Sequence, residues 1–242
     1  MTPLPDAQTL YDVCEATWPP ASVREASGWV IRDGAGGGKR VSAATAVCRG
    51  DQPEIARAEA EMTALGQPLL FMIRDGEAAL DTALAARGYD IIDPVALYAC
   101  PLGLLTDVTL PRLAAFDIYP PLQIMTELWA AGGIGPGRLA VMARAPTPKT
   151  TLLARQNDRA AGVAFAAIHS DIAMLHALEV APAQRRQGVA VNIMRATAHW
   201  AQDQGANWLS VIVTRQNEGA NALYASLGME LVGHYHYRIR PA

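Results

Sequence analysis

Residues 162–204 constrain the fold more tightly than any other stretch of the chain. Two apolar runs, GVAFAAI (162–168) and AMLHALEV (173–180), flank the polar residues His169, Ser170 and Asp171. Short apolar runs around a polar turn predict a β-hairpin. From Gly188 the spacing changes. Ala190, Ile193, Met194, Thr197 and Ala201 recur at helical intervals and predict one buried face. The helix should end near Gly205, because glycine is a natural helix terminator. WLSVIV (208–213) predicts a strand buried on both faces. Residues 218–226 predict a short helix closed by Gly228, and residues 229–239 a last strand of alternating character. The order β–β–α–β–α–β predicts a layered α/β domain with a mixed sheet.

The first half contains an echo. QPLLFMI (67–73) reads as a strand, residues 77–87 as a helix closed by Gly88, and residues 89–99 as a strand again. Gly66 and Gly205 lie 139 positions apart, and Gly88 and Gly228 lie 140 apart. Matching elements at a nearly constant offset predict a duplicated domain, divided as residues 1–104 and 105–242. The copies are not chemically equal. The offset carries residues 185–190 onto AVCRGD (46–51), Tyr224 onto Leu84 and Asn217 onto Glu77. The first copy is therefore expected to lack the chemistry of the second.

Whole-chain properties exclude several classes. The 242 residues are 51% hydrophobic and 18% charged, an ordinary globular composition. A net charge of −3, a pI near 5.9 and no long basic run argue against nucleic acid or an anionic membrane as partner. No apolar run approaches the roughly 18 residues of a membrane span. The opening MTPLPDAQTL lacks the basic segment and apolar core of a signal peptide. Cys14, Cys48 and Cys100 form no metal-like or redox-like pair and are expected to be buried, inert thiols. The expectation is a soluble cytoplasmic protein. Its oligomeric state is left open.

The turn between the hairpin and the long helix carries the chemistry. Pro182 stops the strand that ends at Val180, and Ala183, Gln184, Arg185, Arg186 and Gln187 lead to Gly188. Free N–H groups and the macrodipole at a helix N-terminus favour an anion. Gly188 and the small Ala190 allow close approach, and two arginines add donors. A pyrophosphate fits such a site; a solvated arginine-rich turn is the alternative.

Arg185-Arg186-Gln187-Gly188-Val189-Ala190 resembles the R/Q-x-x-G-x-G/A loop of the GNAT superfamily of N-acetyltransferases, with Ala in the last place. Leu178-Glu179-Val180 resembles the end of that family's bulged fourth strand. Asn217, Tyr224 and Gly228-Met229 resemble its later asparagine, tyrosine and "GF", with Met for Phe. The resemblance covers residues 106–240, and more weakly suggests a degenerate GNAT-like first half in a tandem arrangement. It implies acetyl-CoA as cosubstrate, bound by residues 178–180 (Leu178, Glu179, Val180), the loop residues Arg185, Arg186, Gln187, Gly188, Val189 and Ala190, and Asn217 and Tyr224. It implies that an acetyl group passes to a primary amine by direct attack in a ternary complex.

In that reading the Val180 N–H binds the thioester oxygen and Tyr224 protonates the departing sulfur. Glu179 is a candidate general base and His176 an alternative; Val211, Ile212 and Val213 leave the next strand without one. The acceptor, a small-molecule amine or a peptide N-terminus, is not written in the residues. A non-catalytic acyl-CoA sensor or scaffold is the alternative function. His234 and His236 share a face of the last strand, but no third ligand accompanies them, so no metal is expected. Gly34-Ala35-Gly36-Gly37-Gly38-Lys39 fails as a P-loop: Asp33 stands where Gly is needed, and Arg40 where Ser or Thr is. It reads as a mobile hairpin loop. Phe116, Tyr119 and Trp129 either line the acceptor side or pack in the core.

Overall fold

A computed structural model describes residues 3–48, 50–51 and 53–241. Met1 and Thr2 of the opening stretch, and Arg49 of the 46–51 segment, lie outside the described residues. The first half runs α1 (Ala7–Thr17), β1 (Ser22–Ala26), β2 (Trp29–Asp33), β3 (Thr45–Ala46), α2 (Ile55–Ala64), β4 (Leu70–Arg74), α3 (Ala78–Ala86) and β5 (Asp90–Pro101). A short α4 (Gly103–Thr106) leads to β6 (Ala115–Ile118), α5 (Gln123–Ala131), α6 (Pro136–Arg144), β7 (Lys149–Gln156), β8 (Arg159–His169) and β9 (Ile172–Val180). The chain ends with α7 (Val189–Asp203), β10 (Trp208–Thr214), α8 (Glu218–Ser226) and β11 (Glu230–Ile239). The expected hairpin is β8–β9, paired antiparallel across Ser170 and Asp171. The expected long helix is α7, whose buried face includes Val189, Ile193, Met194, Thr197 and Ala201.

One mixed eight-stranded sheet, ordered β4-β11-β5-β10-β9-β8-β7-β6, spans both halves. A second sheet, β1-β2-β3, adjoins it through a parallel bridge between Ala44 and Phe71. The two β–α–β units match in register. The helices α3 and α8 start at 78 and 218, and β5 and β11 start at 90 and 230, a spacing of 140 in both cases. Each unit accepts a strand from the other. β5 lies between β10 and β11, and β11 lies between β4 and β5. The 104/105 position falls inside α4, and the sheet is continuous across it.

Helices cover both faces of this sheet. On one face α7 and α8 pack over Leu175, Val180, Leu209 and Val211. On the other, α1 packs Leu10 and Cys14 near Ile172, Met174 and Tyr235, while α5 packs Trp129 with Phe165. Asp6 caps α1 by accepting from the Thr9 amide at 2.8 Å, satisfying one of the orphan donors of the first turn.

Two expectations change. The 34–39 loop is not a free hairpin tip. A Cβ at Gly37 would lie 2.5 Å from Val141 Cγ2, and a Cβ at Gly137 2.2 Å from Gly36 O, so the loop is wedged against α6. Residues 39–41 form a 3-10 turn instead of a strand arm, and β3 pairs with β2 only from Thr45. Cys14 and Cys100 are buried, but Cys48 is exposed. It follows β3 in a bend where Val47 beside it is exposed as well.

Candidate active site

The site is built where two parallel strands part. β9 and β10 pair in parallel from Ile172/Trp208 to Leu175/Val211 and no further. Beyond that point β10 continues along β5 to Thr214/Val95, while β9 continues along β8 to Val180/Gly162. A gap opens between residues 176–180 and 212–214.

A bulge widens it. Between the pairs Phe165/His176 and Val163/Glu179, one residue of β8 faces two of β9, Ala177 and Leu178. Ala177 takes φ 52°, a left-handed conformation unusual for alanine. Its carbonyl accepts a 2.8 Å hydrogen bond from Trp129 Nε1 at the end of α5. Trp129 is fully buried, so the bulge is pinned from the core.

The strand end presents its backbone to the gap. Val180 faces Gly162, and the flanking bond runs from the Ala181 amide to the Ala161 carbonyl at 2.9 Å. In an antiparallel pair of that kind, the facing residue turns its own N–H and C=O away from the neighbour strand. The Val180 amide is therefore on the β10 side. Its carbonyl accepts from Arg185 Nε at 3.1 Å, and Arg185 Nη2 reaches Glu179 Oε1 at 3.1 Å.

The loop into α7 provides donors. The first intrahelical bond of this turn is Asn192 N to Gly188 O, so the amides of Val189, Ala190 and Val191 precede the ladder. Gly188 sits at φ 81°, and a Cβ placed there meets nothing within 4 Å. That conformation favours glycine, and the space in front of it is open. Arg186 is exposed beside it, and Gln187 donates to the Ala183 carbonyl at 3.1 Å. Behind the helix start, a Cβ at Gly162 would lie 3.0 Å from Val189 Cγ1, so this glycine lets α7 seat closely on β8. A pyrophosphate suits an open helix N-terminus with three unladdered amides and an adjacent arginine.

Tyr224 lies on α8, and Asn217 at its N-terminus, on the helix that follows β10. Tyr224 is 5% exposed and lies 5.9 Å, ring to ring, from Tyr98. Burial pushes its hydroxyl up to about 12. Asn217 caps α8 by accepting from the Ala220 amide at 3.1 Å, a structural task of its own. At the equivalent place in the first half, Glu77 is buried and held by Arg74 at 2.6 Å; Leu84, matching Tyr224, is fully buried.

Glu179 and His176 fare differently as bases. Glu179 is ion-paired to Arg185, and a Cβ on Gly132 would lie 2.6 Å from its Cδ. The carboxylate is thus wedged against the end of α5, a contact that spacing alone does not reveal. His176 is not placed to act. Arg40 Nη1 donates to its Nδ1 at 3.0 Å, leaving Nε2 to donate to Thr17 Oγ1 at 2.9 Å. Burial, then the Arg40 charge, hold its pKa well below the usual range. His234 and His236 point to separate carboxylates, Asp75 at 2.9 Å and Asp81 at 2.8 Å.

Comparison with known proteins shows what the chain is similar to. Residues 122–229 match the Acetyltransferase (GNAT) family. That match spans 108 of the 242 residues, in the second half of the chain. An uncharacterized N-acetyltransferase of Bacillus subtilis, YobR, is 24% identical over 97% of this chain and 99% of its own. A GCN5-related N-acetyltransferase from Kribbella flavida shares the fold with a TM-score of 0.75 at 18% identity, covering 98% of this chain and 96% of that one. A tandem GNAT protein from the clavulanic acid biosynthesis pathway aligns with a TM-score of 0.58 at 14% identity, over 97% and 89% of the two chains. The fold, a mixed sheet with helices on both faces, is shared with these two structures. Among the described residues, no helix is long and apolar enough to cross a membrane.

Proposed function

We propose that the carboxyl-terminal half, residues 105–242, transfers an acetyl group from acetyl-CoA to a primary amine by direct attack in a ternary complex, with residues 1–104 as a degenerate partner domain. The observation that carries this reading is the parting of β9 and β10 after Leu175/Val211, directly upstream of the open loop at Gly188. Acetyl-CoA supplies the activated acetyl group as a thioester. The amides of Val189, Ala190 and Val191, with Arg185 and Arg186 nearby, suit the pyrophosphate. The backbone of Leu178, Glu179 and Val180 suits the pantetheine arm, with the Val180 amide as donor to the thioester oxygen.

Tyr224 is the proposed hydrogen-bond donor to the departing sulfur. A hydroxyl near 12 stays protonated across the working pH range. Handing its proton outright to a thiolate whose conjugate acid lies near ~8.5 is uphill. Its contribution is a hydrogen bond that strengthens as charge builds on sulfur. Glu179, beside the bulge, is the proposed acceptor of the amine proton, directly or through a water. The acceptor is a small amine or a peptide N-terminus. With three unpaired cysteines, the chain is read as working in a reducing cytoplasm.

The test is thiol release from acetyl-CoA with a panel of amines, comparing wild type with Tyr224→Phe. Amine-dependent release, reduced in the variant, supports the assignment. Binding of CoA without release for any amine would assign an acyl-CoA sensor instead.

A further inference from the structure

A second basic site lies away from the α7 loop, in the cleft between α1 and strands β2, β3, β4 and β11. Its cavity of about 30 Å³ is open at one side and lined by Tyr11, Trp18, Arg32, Arg40, Arg74 and Tyr235 among others. A water needs about 10–15 Å³ of such space, so the cavity has room for two or three waters or for one carboxylate.

Its charge is unbalanced by one. Arg32 donates to Glu15 through Nε at 3.0 Å and Nη2 at 2.8 Å. Arg74 is neutralised by Glu77 at 2.6 Å. Among the described residues, Arg40 has no carboxylate partner, and its buried Nε has no hydrogen-bond partner. Nε itself is sealed from the cavity, but a buried guanidinium without a counter-charge is costly and is relieved by an anion bound beside it. The side chain is also preorganised. Nη1 is fixed on His176 Nδ1 at 3.0 Å, and Cζ stands 5.8 Å from the Trp18 ring centroid. The neutral His176 takes none of the positive charge away, so Arg40 keeps it for a ligand.

We propose that this cleft binds a carboxylate, with Arg40 as its principal cationic partner. The cleft faces the sheet side opposite α7 and α8, and Arg40 joins it through His176 to the residue before the β9 bulge. The carboxylate belongs either to the amine acceptor, making that acceptor an amino acid, or to a separate small acid.

The test needs no knowledge of the acetyl donor. Thermal unfolding of the full chain is measured with acetate, glycine and N-acetylglycine, and with acetamide, glycinamide and N-acetylglycinamide. A midpoint raised by the acids and not by the amides is expected, lost in Arg40→Gln and partly kept in Arg40→Lys. Acetylation assays separate the sources. If the carboxylate is the acceptor's, amino acids are acetylated, their amides are not, and Arg40→Gln raises KM for the amino acid at least tenfold with CoA affinity unchanged. If acid binding depends on Arg40 but acetylation ignores the acceptor's carboxylate, the ligand is a separate acid and the site stands. No acid-specific stabilisation of the wild-type protein overturns the proposal, whatever the outcome of the acetylation assay.

Discussion

Arg185 clasps the end of the strand that borders the gap: its Nε lies 3.1 Å from Val180 O and its Nη2 3.1 Å from Glu179 Oε1. The first residue of the phosphate-type loop thereby fixes both the strand terminus and the candidate base. More than half of its side chain is exposed, so the pair is worth at most about 1 kcal/mol to stability. Arg185→Ala should leave the melting midpoint almost unchanged and raise KM for acetyl-CoA about tenfold, the cost of one charge-assisted bond. Arg185→Lys should recover little, because an ammonium cannot make the two-point clasp. Steady-state kinetics beside thermal unfolding checks this.

Tyr224→Phe removes one hydroxyl from a buried ring and should keep the fold. The expected loss is in kcat, about 100-fold for a transition-state donor, with CoA affinity changed less than twofold. Calorimetric CoA binding measured beside kcat separates this from a packing defect, which would weaken both.

Gly132 is needed for lack of space, since a Cβ would lie 2.6 Å from Glu179 Cδ. Gly132→Ala must displace either the carboxylate or the end of α5. It should cost about 1–3 kcal/mol by overpacking and lower kcat with it. Gly133, with nothing within 4 Å of its Cβ position, serves as the control for sterics, although its φ of 79° adds its own strain.

Stability should fall with acid through His176. Its folded pKa is lowered by burial and by Arg40, so the unfolded state takes up the proton first. Stability is therefore complete above the unfolded value of about 6.5 and declines as pH falls below it, by up to about 1.4 kcal/mol per pH unit. His176→Gln should flatten the slope of unfolding free energy between pH 5 and 6.5, as read from denaturant titrations at each pH.

The parts legible in the sequence were those set by near neighbours. Polar residues at 169–171 marked the β8–β9 turn, and Gly205 and Gly228 marked the ends of α7 and α8, where their φ values are 85° and 74°. The constant offset pairs α3–β5 with α8–β11, whose elements start 140 residues apart. What stayed hidden depends on partners far along the chain. Nothing local in β5 says that it inserts between β10 and β11. The 34–39 loop reads as mobile because its restraint comes from α6, about a hundred residues away. Arg40 looked like the residue that spoils a P-loop, because its contacts with His176 and Trp18 lie in other elements. Likewise the loop motif was visible in residues 185–190, while the clasp of Arg185 on Val180 and the contact of Gly132 with Glu179 emerge only from packing.

The central claim is that the start of α7 holds a pyrophosphate, and Gly188→Asp tests it most directly. Aspartate tolerates the left-handed conformation better than most residues and finds open space there, so the fold should survive with a loss of about 1 kcal/mol. Its carboxylate would occupy and repel the anion position. Calorimetric titration of CoA should show binding to the wild-type protein and at least a hundredfold weaker binding to the variant, with both proteins folded. Equal CoA affinity in the two proteins would contradict the account.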